Sequence, residues 1–218
     1  NKQTGAIISN LPERITMIDF KHHQDHNEYE HVIDYYKENF GNKSIFRLIT
    51  THPHHDHIRG LHKLFGDSGI EVVNFWDVPH FFKPDSFEGD DWHEDDWDMY
   101  EIIRDTSTSG LKTLNYTKED ERRPYWDEDN DNIFVLSPTK ELLTYAHYDS
   151  EGKKRDAANV EIDDISYALM LKVNDVKVIF SGDGREKTWE NIMSHSSDLI
   201  KNTTILNEEA RLDCTITE

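Results

Sequence analysis

The six residues His52-Pro53-His54-His55-Asp56-His57 constrain this chain more than any other stretch. The motif positions, spaced His-x-His-x-Asp-His, bring three imidazoles and a carboxylate together, ligands that suit zinc, manganese or iron. One short loop can turn His52 and His54 towards one ion, and Asp56 and His57 towards a second. The flanks fit that use. Ser44 to Thr50 is β-branched and apolar like a buried strand. Ile58 to Phe65 follows with helical apolar spacing, closed by Gly66. Ligands at the carboxyl end of a strand, just ahead of a helix, sit where open α/β sheets keep their sites. A solvent-exposed His-rich loop would need no such setting.

A second motif lies downstream. Val176-Lys177-Val178-Ile179-Phe180 reads as a strand that runs into Ser181-Gly182-Asp183. Before it, Ile165 to Val173 and the turn Asn174-Asp175 complete a hairpin. Thr50 to Leu61, followed later by a strand ending in Gly182-Asp183, resembles the signature of the metallo-β-lactamase superfamily. With Val135-Leu136-Ser137-Pro138 upstream, the chain is most similar to the ComEC-like branch. That resemblance implies an α/β fold, the αβ/βα four-layer sandwich, and a centre of two divalent metal ions, zinc or manganese. It implies His52, His54, Asp56, His57 and Asp183 as metal ligands, with Asp183 bridging the ions and Asp56 and Asp183 as the catalytic carboxylates. The activity it implies is metal-dependent hydrolysis of a phosphodiester, nucleic acid included. Arg59, Arg185 and Lys187 lie close in sequence to the two motifs and are candidates to hold phosphate oxygens.

The pattern departs from that branch at its end. ComEC-like domains add a further strand ending in His-His-Gly, which supplies the last ligand. The corresponding Thr203-Thr204-Ile205-Leu206 continues into Asn207-Glu208-Glu209, and no histidine follows His195. Glu208 or Glu209 is a candidate carboxylate substitute; otherwise the site is one ligand short, is completed by another chain or belongs to a longer protein, and the C-terminal part of the fold reads as short. For the third ligand of the first ion the chain offers His147, Asn159, Asp163 and Asp164. Asp164 fits by position and His147 by chemistry. Two other functions stand beside this one. One is hydrolysis of a small carbonyl substrate such as a lactone, thioester or β-lactam, which calls for an enclosed apolar pocket. The other is a non-catalytic binding module, which the missing histidine motivates and the five clustered ligands oppose.

The 218 residues suffice for one domain with a sizeable core. The single cysteine, Cys214, excludes an intramolecular disulfide, and no apolar run reaches the length of a bilayer span. These features point to a cytoplasmic protein without a membrane span, acting alone, as a homo-oligomer or with a protein partner. The net charge of −20 opposes nucleic-acid binding at long range, but much of it is local. Residues 85–132 hold 17 Asp or Glu against 5 Lys or Arg. Residues 82–132 therefore read as an acidic, aromatic-rich insertion within a domain of residues 1–218. Trp92, Trp97, Tyr100, Ile102 and Ile103 give it the apolar area to dock a short helix, as a lid or a cleft wall. Asp19 stands where the superfamily often has an Asp-Gly-Gly turn, and a structural role is expected for it. His22, His23 and His26 read as surface histidines.

Overall fold

The computed structural model describes residues 6–11, 14–22, 31–85, 93–105, 111–120 and 133–207. They form two compact units, one running up to Asp77 with Pro84–Asn115, the other Val78–Lys83 with the residues from Tyr116 onward. Each unit is a sheet covered by helices, so the expected α/β class holds. No described helix is long and apolar enough to cross a membrane.

The first unit is a five-stranded sheet in the order β1 (Ala6–Leu11), β2 (Arg14–Ile18), β3 (Ile45–Thr50), β4 (Val72–Asp77), β5 (Lys112–Leu114). β1 and β2 form an antiparallel hairpin, and the remaining pairs are parallel. Parallel neighbours need a crossover, which helices normally supply. Here they are α1 (Val32–Phe40), then α2 (His55–Ile58) and α3 (Leu61–Gly66), then α4 (Glu94–Asp105). β3 lies mid-sheet with both faces covered, which is why its sequence is nearly continuous apolar. Ile45, Leu48 and Ile49 are fully buried. Arg47 is the exception. Also buried, its guanidinium lies 4.6 Å over the Trp76 ring and donates to Thr16 Oγ1 at 3.4 Å.

The acidic stretch read as an insertion contributes, in its described part, α4 and the edge strand β5. α4 packs on β4 and β5, with Trp97, Tyr100 and Ile103 buried and Ile102 exposed. Asp77, fully buried at the end of β4, accepts from Tyr100 Oη at 2.5 Å and from Arg104 Nε at 2.9 Å. Trp92 lies outside the described residues.

The second unit is a four-stranded sheet, β6 (Ile133–Ser137), β7 (Ala168–Val173), β8 (Val176–Phe180), β9 (Ile205–Asn207). β7 and β8 form the expected antiparallel hairpin, turning at Asn174 with φ 54°. β8 and β9 are parallel, joined by α6 (Glu186–Ile200), while α5 (Lys140–His147) follows β6. Thr139 caps α5 by accepting from the Leu142 N–H. Leu136, Ala168, Met170, Ile179 and Ile192 form the core between sheet and α6.

Candidate metal centre

The histidine motif leaves the carboxyl end of β3 in the first unit. His52 and His57 are buried, His54 half-buried. Pro53 favours an extended conformation for His52, and His54 is extended as well, at φ −70° and ψ 153°, before α2 begins. The motif then folds back, with the His57 N–H donating to the His54 carbonyl at 2.9 Å. As a result the His52 ring centroid lies 4.7 Å from that of His54 and 4.1 Å from that of His57.

A threonine and an aspartate set the ring orientations. Asp19, at φ 57° past the end of β2, accepts the Thr51 N–H through Oδ1 at 2.7 Å. Its Oδ2 accepts the Thr51 hydroxyl at 2.9 Å and lies 2.9 Å from His57 Nδ1. A carboxylate only accepts, so His57 Nδ1 carries the proton and Nε2 keeps its lone pair. Having given its hydrogen to Asp19, the Thr51 hydroxyl can only accept from His52 Nδ1, 3.2 Å away. His52 then keeps its lone pair on Nε2, which lies 3.0 Å from His54 Nδ1. Two nitrogens bound to one zinc at about 2.0–2.1 Å are separated by about 2.9–3.4 Å between octahedral and tetrahedral angles. The pair therefore fits a shared cation, and the donor set is compatible with a divalent metal.

Asp56 is half-buried beside them, its Oδ1 3.7 Å from His57 Nε2 and its Oδ2 4.0 Å from Lys21 Nζ. Burial by itself would raise this carboxyl, but His57, His55 and Lys21 outweigh it and draw the pKa below the ordinary value. Asp56 is thus held as an anion.

After α2 the chain turns at Gly60, at φ 91°, against Phe20 and His22. A Cβ on Gly60 would lie 2.6 Å from the His22 Cβ, so only glycine fits there. His22 is therefore not the surface histidine expected from the sequence. It is buried, with its ring beside those of Phe20 and His31. His23 and His26 lie outside the described residues. The buried Asp96 of α4 accepts the N–H groups of Gly60 at 2.8 Å and His62 at 3.1 Å, and its Oδ1 lies 2.5 Å from His62 Nδ1. It thereby satisfies orphan donors at the start of α3.

Asp183 belongs to the second unit. It is half-buried in the turn Ser181-Gly182-Asp183-Gly184, between β8 and α6. Gly184 is tightly enclosed, since a Cβ there would meet Thr188 Cγ2 at 2.8 Å. The adjoining Arg185 pairs with the buried Asp163, and the Thr188 hydroxyl donates to the Asp164 carbonyl at 2.9 Å. Burial first, then Glu161, raise the Asp164 carboxyl above its ordinary pKa against the pull of Arg185. His147, at the end of α5, lies against Phe81 with ring centroids 4.7 Å apart and the ring planes tilted by 40°. Glu208 and Glu209 lie outside the described residues.

No family model and no curated protein matches the chain. Among solved structures it is similar to the metallo-β-lactamase fold protein YhfI from Bacillus subtilis, at 12% identity over 83% of this chain and 55% of that one, with TM-score 0.41. It is also similar to the hydrolase AbOPH of the β-lactamase superfamily, at 13% identity over 91% of this chain and 70% of that one, with TM-score 0.44. The chain thus spans little more than half the length of the first.

Proposed function

We propose that this chain is a metal-dependent hydrolase of the metallo-β-lactamase kind, acting on phosphodiesters. The observation that carries the reading is the convergence of His52, His54 and His57 in one loop, with the tautomers of His52 and His57 fixed by Thr51 and Asp19. In this reading His52, His54, Asp56, His57 and Asp183 hold two divalent cations, zinc or manganese, with Asp183 placed among the ligands by its Ser-Gly-Asp motif. Such ions supply an activated water and a Lewis acid for a phosphoryl oxygen. The chain's own groups do the rest. Thr51 and Asp19 hold the Nδ1 protons of His52 and His57, so that both imidazoles present Nε2 without rearrangement. Asp56, anionic and next to His57, is placed to orient the attacking water. A cytoplasmic setting suits the single cysteine.

The test is elemental mass spectrometry on untagged protein, alongside hydrolysis of bis(p-nitrophenyl) phosphate. Close to two metal atoms per chain and metal-dependent release of nitrophenol are expected. His57→Ala should lose metal and abolish turnover. Full activity in that variant would place the chemistry elsewhere, and activity confined to a lactone or β-lactam would replace the phosphodiester by a carbonyl substrate.

A further inference from the structure

The acidic stretch supplies one carboxylate that does not face solvent. Asp96, in the first turn of α4, is 3% exposed, whereas its neighbours Glu94, Asp95 and Asp98 are open to water. Its Oδ2 accepts the Gly60 N–H at 2.8 Å, while Oδ1 accepts the His62 N–H at 3.1 Å and lies 2.5 Å from His62 Nδ1. A carboxylate only accepts, so His62 Nδ1 carries its proton here. Burying a carboxylate is costly unless donors compensate it. For Asp96 they all come from Gly60 and His62, just past the histidine motif.

A second element holds the same turn. The Phe20 N–H donates to the His57 carbonyl and the His22 N–H to the Arg59 carbonyl, both at 2.9 Å. The His22 Cβ leaves no room for a Cβ on Gly60. That run begins at Asp19, the carboxylate that orients His57, and continues β2. α4 is anchored separately, through Asp77 to Tyr100 and Arg104, and it packs on α2, which carries Asp56 and His57, as well as on α3.

We propose that Asp96 is a positioning residue for the metal loop, so that docking of α4 and loading of the cation favour each other. Asp96 acts through the backbone of Gly60 and His62 rather than by ligation. It fixes where α2 ends and α3 begins, and through that turn the place of His57 beside His52. Such coupling is reciprocal, so whatever Asp96 adds to metal affinity the bound metal adds to the docking of α4. This part of the acidic stretch is then a brace of the site's framework, neither lid nor cleft wall. The inference rests on the reading of the histidine loop as a metal site, but not on hydrolysis.

Two measurements on the full chain test it, with zinc alone and no substrate. Chelator competition should show roughly tenfold weaker zinc binding in Asp96→Asn, the low end of what a ligand's supporting partner is worth. Asparagine keeps the shape but sets an amide donor against the donors of Gly60 or His62. His62→Ala, which removes only the side-chain contact, should lose less. By hydrogen exchange, zinc should slow the amides of α4 more than those of α1, and that excess should vanish in Asp96→Asn. A purely structural Asp96 would lower stability to urea and move neither readout. Equal zinc affinity in Asp96→Asn, with its circular dichroism intact, overturns the inference, as does an α4 that zinc protects no more than α1. If that variant does not fold, unchanged affinity in His62→Ala overturns it instead. Hydrolysis of bis(p-nitrophenyl) phosphate separates the two ideas. Coupled zinc binding without turnover defeats the phosphodiesterase reading alone, and turnover with unchanged zinc affinity in Asp96→Asn defeats the brace alone. A chain that binds no zinc defeats both.

Discussion

Thr51 has a single hydroxyl hydrogen, and its destination decides how two histidines present themselves. Given to Asp19, it obliges His52 to protonate at Nδ1, while Asp19 imposes the same on His57. Asp19→Ala should therefore weaken zinc binding by about 10–100-fold, the usual size of losing such an orienting partner. Competition against a chromophoric chelator measures it, and unaltered affinity would show that the loop orients its rings unaided. The histidines themselves were legible because their spacing is local. Asp19 was assigned only a structural part, since its bonds to Thr51 and His57 arise when β2 pairs with β3, and no spacing along the chain encodes them. The burial of His22 was missed for the same reason, because the wall it meets is Gly60.

Whole elements were easier to read where their period was long. The β7–β8 hairpin lies close to its expected bounds. β5, three residues of mixed burial, has no pattern long enough to register, and Asp96 of α4 reads as solvent-facing until its bonds to α3 are known. α4 is also held by the buried Asp77. Arg104→Ala would leave that charge without its cation and should cost about 3–5 kcal/mol. Tyr100→Phe, which removes one hydrogen bond to the carboxylate, should cost about 1–3 kcal/mol. Urea unfolding gives both values, and equal losses would mean that the ion pair adds nothing. At the end of α5, burial and then Lys154 hold the His147 pKa below its ordinary value. The folded state resists the proton that the unfolded state accepts, so stability is intact above about pH 6.5 and falls as the pH drops below it. His147→Gln should flatten that part of the stability profile, and an unchanged slope would assign it to other groups.

For the molecule as a whole, a ligand that binds only the folded state stabilises it by mass action. A metal at about a hundred times its Kd adds about 2.7 kcal/mol. Chelation should lower Tm, and zinc or manganese should restore it. A Tm indifferent to both would remove the metal from the account of this chain. The charge of −20 was fully legible, but its distribution was only partly so. The acid-rich stretch stood out, whereas pairings such as Arg155 with Glu161 emerge only from the fold.

The parallel register of the first sheet also governs when its parts can appear. Ile18 pairs with Ile49, Ile49 with Trp76, and Trp76 with Leu114, so each step waits for a distant stretch of chain to arrive. Loops of that length must close before the pairing rewards them, which slows folding. During synthesis the histidine loop leaves the ribosome well before β4 and β5 exist to flank β3. Until they do, its imidazoles stand outside the flanked sheet that buries His52 and His57 in the folded chain.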